Sequence, residues 1–185
     1  MAFTVFLDAC TLHRPYVRDT LLRLAEAETY RPLWSRDVLT EVRSSLVEAR
    51  GFDPAAIDYM LGELTDAFED AVVAGYEPLI DVMTNDPGDC HVLAAAVKGG
   101  ADALVTFNMR HFPPESVEAY RLEVLNPDAF LLNQFDLFPD VVMQVLDEQA
   151  ASHRRPPHTV PELLDRLQRD GVTSFPAAVR SHLPG

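Results

Sequence analysis

Cysteine is nearly absent: Cys10 and Cys90 are the only two in 185 residues. Two thiols cannot build the disulfide framework of a small secreted domain, so the expected compartment is the reducing cytoplasm. Lysine is scarcer still, with Lys98 alone among 15 basic residues. Arginine is the better bidentate phosphate ligand, but a coding bias gives the same skew and is the simpler reading. No apolar run approaches a membrane span, and Phe3 to Leu7 is too short for a signal peptide, so no membrane partner is expected. There is no internal repeat and no low-complexity tract. Positive charge is in deficit, 15 Lys and Arg against 29 Asp and Glu, for a net charge of −14. That deficit argues against casual nucleic-acid binding, whose affinity comes mostly from basic patches. It does not exclude an enzyme whose acids gather around a cation.

What remains is ordinary globular material, 48% apolar and 24% charged, enough for a sizeable core. The length fits one domain with a small appendage. From residue 149 onward the balance shifts: five arginines face three acids, Glu162, Asp165 and Asp170.

The stretch from Asn85 to Pro113 organises the chain. It opens with Asp86 and Asp89 around a Pro87-Gly88 turn. The alanine-rich run from His91 to Val97 predicts a short buried helix, stopped by Gly99-Gly100. Ala103 to Phe107 predicts a buried strand ending at Asn108, with Arg110 and His111 in the turn beyond. Acid turn, helix and strand make one crossover of a parallel α/β sheet, whose ligands bind outside the carboxyl ends of the strands.

Elsewhere Phe3–Leu7 predicts a first buried strand with Asp8 at its carboxyl end, where a carboxylate suits a crevice or caps the following helix. Val17, Leu21, Leu22, Leu24 and Ala25 give a helix over about residues 16–27, with Arg14 just before it as a phosphate candidate. Tyr30–Trp34 predicts a second strand, and Ser35 starts a helix through Val38, Val42 and Leu46. Glu41 lies beside that apolar face, as a boundary residue or a metal ligand. Asp53-Pro54 opens another helix to about Phe68. Ala71–Val73 predicts a strand, Gly75 to Met83 a connection, and Leu122–Leu125 the last strand. Helices follow from Pro127, over residues 138–151, and near 160–169 and 175–183, with a polar, proline-bearing turn at 152–157. The division expected is 1–135 for the α/β body and 136–185 for a helical extension.

Asp8, Glu41 and Asp89 come from three different elements. Hard divalent cations want such oxygen ligands, and a carboxylate cluster could hold one or two of them and activate water for in-line attack on a phosphodiester. LDAC with Asp8, LTEV with Glu41, and the long run NDPGDCHVLAAAVKGGADALVTFNMRHFP together resemble the PIN-domain ribonucleases. They come nearest to the VapC-like toxins of bacterial type II toxin–antitoxin systems, over about residues 3–130. The helical C-terminal part is similar to the extension of a longer subgroup. The resemblance implies a PIN-like three-layer α/β fold with a central parallel sheet flanked by helices. It also implies a Mg²⁺- or Mn²⁺-dependent endoribonuclease, often cutting tRNA or rRNA and restrained by a cognate antitoxin protein.

The motif positions carry over as Asp8, Glu41 and Asp89, the candidate catalytic and metal-binding acids. The fourth family position, usually an acid, is Asn108, which offers a carbonyl oxygen without charge. Asp86 is a candidate to replace that charge, or is a turn residue before Pro87. Arg14, Asn108 and Arg110 are the substrate-binding candidates, with a solvated turn the alternative for Arg110 and His111. His91 reads as a structural histidine, its ring satisfied. Cys10 and Cys90 lie beside candidate ligand positions, as buried thiols or as an oxidative pair. The antitoxin is expected in a groove along the helices at Val17–Ala27 and Val38–Val47, with an arginine on the acids; a homodimer also stays open. The competing class is a catalytically weak PIN-fold binding module acting by sequestering RNA or protein. A phosphotransferase with Asp8 as nucleophile fits poorly, because DACT lacks the second aspartate of the haloacid dehalogenase pattern.

Overall fold

A computed structural model describes residues 3–152 and 158–183. The polar turn expected at 152–157 therefore lies, beyond Ser152, outside the described residues. In chain order the elements are β1 (Thr4–Leu7), α1 (Ala9–Leu12), α2 (Pro15–Glu26), β2 (Arg31–Ser35), α3 (Arg36–Ser44), α4 (Pro54–Ala67), β3 (Val72–Val73) and α5 (Glu77–Ile80). Then come α6 (Cys90–Lys98), β4 (Ala103–Val105), α7 (Pro114–Val117), β5 (Glu123–Leu125), α8 (Pro127–Leu137), α9 (Pro139–Ser152), α10 (Val160–Arg169) and α11 (Ser174–His182). They form two compact units, Met1–His13 with Arg31–Leu125, and Arg14–Tyr30 with Asn126–Gly185.

The first unit is built on a parallel five-stranded sheet in the order β3-β2-β1-β4-β5, flanked by helices. Its central strands are short apolar runs, and Val5, Phe6, Leu7, Ala103, Leu104 and Val105 are fully buried. Leu7 pairs with Val105. Because the strands are parallel, β1, β2 and β4 end at one edge, and that edge receives Asp8, the start of α3, and Thr106 to Asn108.

Local chemistry sets the ends of the helices around that edge. The Ser35 hydroxyl accepts from the Val38 amide at 3.1 Å, an N-cap that aims α3. At the far end of α6 the Ala101 amide reaches the Ala96 carbonyl and the Gly100 amide the Val97 carbonyl. Gly100 is left-handed at φ +65°, so the expected glycine stop is a Schellman turn. A Cβ on Gly99 would sit 2.8 Å from Leu33 and from Val73 side-chain carbons, so glycine there lets α6 approach the sheet. The connection expected from Gly75 to Met83 contains a helical turn, α5, because Pro78 is tolerated in a first turn.

The second unit is helical. Leu21, Leu24, Leu131, Leu146, Leu163, Leu164 and Phe175 are fully buried in it. Its buried polar residues include a paired set: the Thr20 hydroxyl donates to Gln149 at 2.7 Å, and the Gln149 amide donates to the Tyr16 carbonyl at 3.2 Å. Asp128 accepts from the Ser174 and Phe175 amides, both at 2.8 Å, and so fixes the start of α11.

Candidate active site

Asp8 leaves β1 at the carboxyl edge of the sheet and is 2% exposed. It stands at the N-cap of α1 without a side-chain capping bond, so the helix-cap reading does not explain its carboxylate. Its Oδ2 instead accepts from the Thr106 hydroxyl at 2.6 Å and the Cys10 thiol at 3.0 Å. Burial pushes the Asp8 carboxyl above the ordinary aspartate range; the Cys10 and Thr106 donors oppose this, and the Asp89 charge adds to it. Thr106, fully buried, also accepts from the Asn108 amide at 2.9 Å, so one hydroxyl positions both Asp8 and the turn after β4.

Asp89 sits at the N-cap of α6, and its Oδ2 lies 2.5 Å from His111 Nδ1. Arg110 Nε donates to His111 Nε2 at 3.4 Å, which leaves the imidazole proton on Nδ1, facing Asp89. Asp86 accepts from the Gly88 amide at 2.9 Å, the turn role expected of it. Asp86, Asp89 and His111 nevertheless bring ligand atoms within 4.8 Å of one another, an acidic group able to hold a metal. The Asn108 side chain is half-buried and makes no hydrogen bond among the described residues.

Glu41 is the exposed member of the triad. Its Oε1 lies 2.8 Å from His91 Nε2, with side-chain exposures of 45% and 15% respectively. The bond to Glu41 raises the His91 pKa above its ordinary value against the effect of burial, and the charges of Glu41, Asp37 and Asp89 add to it. The Asp89 charge thus acts on Asp8, and the charges of Glu41 and Asp89 act on His91.

Arg14 belongs to the second unit, where its guanidinium donates to the Asp170 carbonyl. Arg110 is exposed beside His111. Cys10 and Cys90 are both free thiols; burial and the Asp8 charge push the Cys10 thiol up to about 12, which makes it an unreactive hydrogen-bond donor. The apolar faces expected to line a partner groove are committed elsewhere: Val17, Leu21, Leu24, Val38 and Val42 are all 0% exposed, so those side chains are core. Three site-building residues are not evident from the sequence. Thr106 and His111 lie next to candidate site residues, but their partners are 98 and 22 positions away. The ring of His91, expected to be satisfied, has a buried Nδ1 without a partner among the described residues.

The PIN domain family pattern matches residues 4–110. The chain belongs to the PIN-domain family. Its second match, over residues 127–181, is to the VapC50 C-terminal domain. In Mycobacterium tuberculosis the protein named as ribonuclease VapC50 is 40% identical over 121 residues, covering 65% of this chain and 69% of that one. No solved structure matches. In this PIN domain Asp8 follows β1 at the carboxyl edge of the sheet, where parallel α/β folds bind their ligands.

Proposed function

We propose that this chain is an endoribonuclease toxin of the VapC type, cleaving an RNA phosphodiester with water as the nucleophile. The observation that carries the reading is the Asp8 carboxylate, buried at the end of a central strand and held by the Thr106 hydroxyl and the Cys10 thiol. The family relationship supplies the substrate class, since the VapC50 relative is named as a ribonuclease.

The residues fit a divalent cation. Burial and the Asp89 charge both disfavour the ionised form of Asp8, and no arginine or lysine is bonded to Asp8 or Asp89 among the described residues. Asp8, Asp89 and Glu41 would hold the ion, with Asp86 close to Asp89 in reserve; the oxygen donors suit Mg²⁺ or Mn²⁺. When bound, such an ion supplies charge stabilisation at the phosphodiester and lowers the pKa of water. The chain does the rest. Thr106 and Cys10 fix the Asp8 carboxylate, His111 fixes Asp89, and Asn108 offers an amide where a further charge would crowd the site. Arg110, exposed beside His111, would receive a substrate phosphate. Among the described residues no helix is long and apolar enough to cross a membrane. The reading includes a cytoplasmic protein, tRNA or rRNA as target, and a small antitoxin whose arginine would neutralise the acids.

The test is sequencing of RNA ends after induction of the wild type and of Asp8→Asn in cells. Discrete new ends with the wild type and none with the variant support the nuclease. Growth arrest by both, with no new ends, would favour the sequestering module, the reading to which the neutral Asn108 lends weight. Purified protein should stop cleaving in EDTA and recover with Mg²⁺ or Mn²⁺.

A further inference from the structure

We infer that His91 is the positioning residue for Glu41, the part of α6 that makes an exposed glutamate into a fixed ligand. The inference rests on the reading of Glu41 as a metal-binding acid. Glu41 lies on a helix surface with nearly half its side chain in water. A glutamate so exposed has several rotamers of similar energy, and holding one of them costs entropy that a metal ion would have to supply. His91 removes that cost in advance. Its ring is largely buried and presents Nε2 to Glu41 Oε1 at 2.8 Å.

The other ring nitrogen separates this role from a structural one. Most buried polar atoms kept for the architecture of a core are paired. Among the described residues Nδ1 of His91 is buried and has no partner, so the only bond that the ring makes there is to Glu41. That bond requires the proton on Nε2. Position matters too: His91 is two residues beyond Asp89 on the first turn of α6. The same helix start therefore carries one acid itself and grips the second through a side chain. Asp37, one turn before Glu41 on α3, accepts from the Tyr76 hydroxyl at 2.7 Å. Partners of metal ligands in this second layer typically affect ion affinity by about 10–100-fold.

Mn²⁺ itself is the probe, its binding read by electron paramagnetic resonance on the full-length protein, independently of cleavage. His91→Leu should weaken Mn²⁺ binding by about 10–100-fold. His91→Gln, whose amide nitrogen reaches the place of Nε2, should recover most of it, and His91→Asn, whose amide stops short, should not. In a Glu41→Gln background the His91 substitutions should add little. The inference is overturned if Glu41→Gln weakens Mn²⁺ binding while His91→Leu leaves it within about twofold, well short of the usual effect of such a partner, or if the two losses multiply. If Glu41→Gln changes nothing, Glu41 is no ligand and the underlying reading fails instead. Should His91→Leu not fold, the Gln and Asn pair decides the matter, since both keep a polar side chain of similar size.

Discussion

Two aspartates, one in each unit, show how the same side chain serves different ends. Asp128 accepts two backbone amides at the start of α11. Burial pushes its carboxyl up, but the Phe175 and Ser174 amides outweigh this and leave its pKa below the ordinary value. Asp8 also stands at the start of a helix, yet its main donors are one hydroxyl and one thiol, the Ala9 amide contributes least, and burial leaves its pKa raised. A carboxylate that backbone amides saturate is finished as chemistry and stabilises the fold. One that is buried without enough donors holds uncompensated negative potential, which is what a cation-dependent site requires.

The largest effect that tests this contrast is on activity. Asp8→Asn should lower RNA cleavage by on the order of 10²–10³-fold or more, as loss of a transition-state charge contact does. The same variant should melt at the wild-type temperature or above it in EDTA, because removing a charge that is costly to bury relieves the apo protein. A lower melting temperature would mean that Asp8 is structural and the contrast false. Asp128→Ala should do the reverse, losing about 1 kcal/mol of stability in urea unfolding, as removal of a helix cap does. Cleavage by the remaining folded protein should be unchanged.

The pH dependence of that loss gives a finer test. A folded-state pKa below the ordinary 3.8 means that Asp128 contributes stability fully above pH 3.8. The contribution fades as pH falls through the lowered value. The gap between the wild type and Asp128→Ala should therefore be constant at neutral pH and narrow only below 3.8. A gap that narrows already near neutrality would assign it to another group. The smallest effect is a control without charge. Gly62 lies inside α4, and a Cβ added there would meet nothing within 4 Å. Gly62→Ala should therefore add about 0.5–1 kcal/mol of stability and leave metal binding alone.

The elements are legible in the sequence where one residue type has one local meaning. Ser35 before an apolar helical face, Asp53-Pro54, and Gly99-Gly100 after an alanine run each mark a boundary that the structure repeats. The buried strands are legible as short apolar runs, and the sheet edge follows from their parallel order. The partners of the acids are not. Nothing local says that Thr106 donates to Asp8 across 98 residues, or that His91 leaves one nitrogen unpaired. These depend on which strands become neighbours. The apolar stripe of α2 looks like a docking face for the same reason: periodicity shows that a face is apolar, not what covers it.

The noncontiguous make-up of the second unit sets an order of events during synthesis. Helix α2 leaves the ribosome early, but α8 to α11, with which it shares a compact unit, begin only at Pro127. At about 5–20 residues per second, its apolar stripe waits several seconds or more before its partners exist. During that interval Val17, Leu21 and Leu24 are open to chaperones, to proteases or to aggregation. A message cut short before Pro127 would leave α2 in that state permanently, so a broken transcript would yield a chain marked for destruction and not a smaller active enzyme.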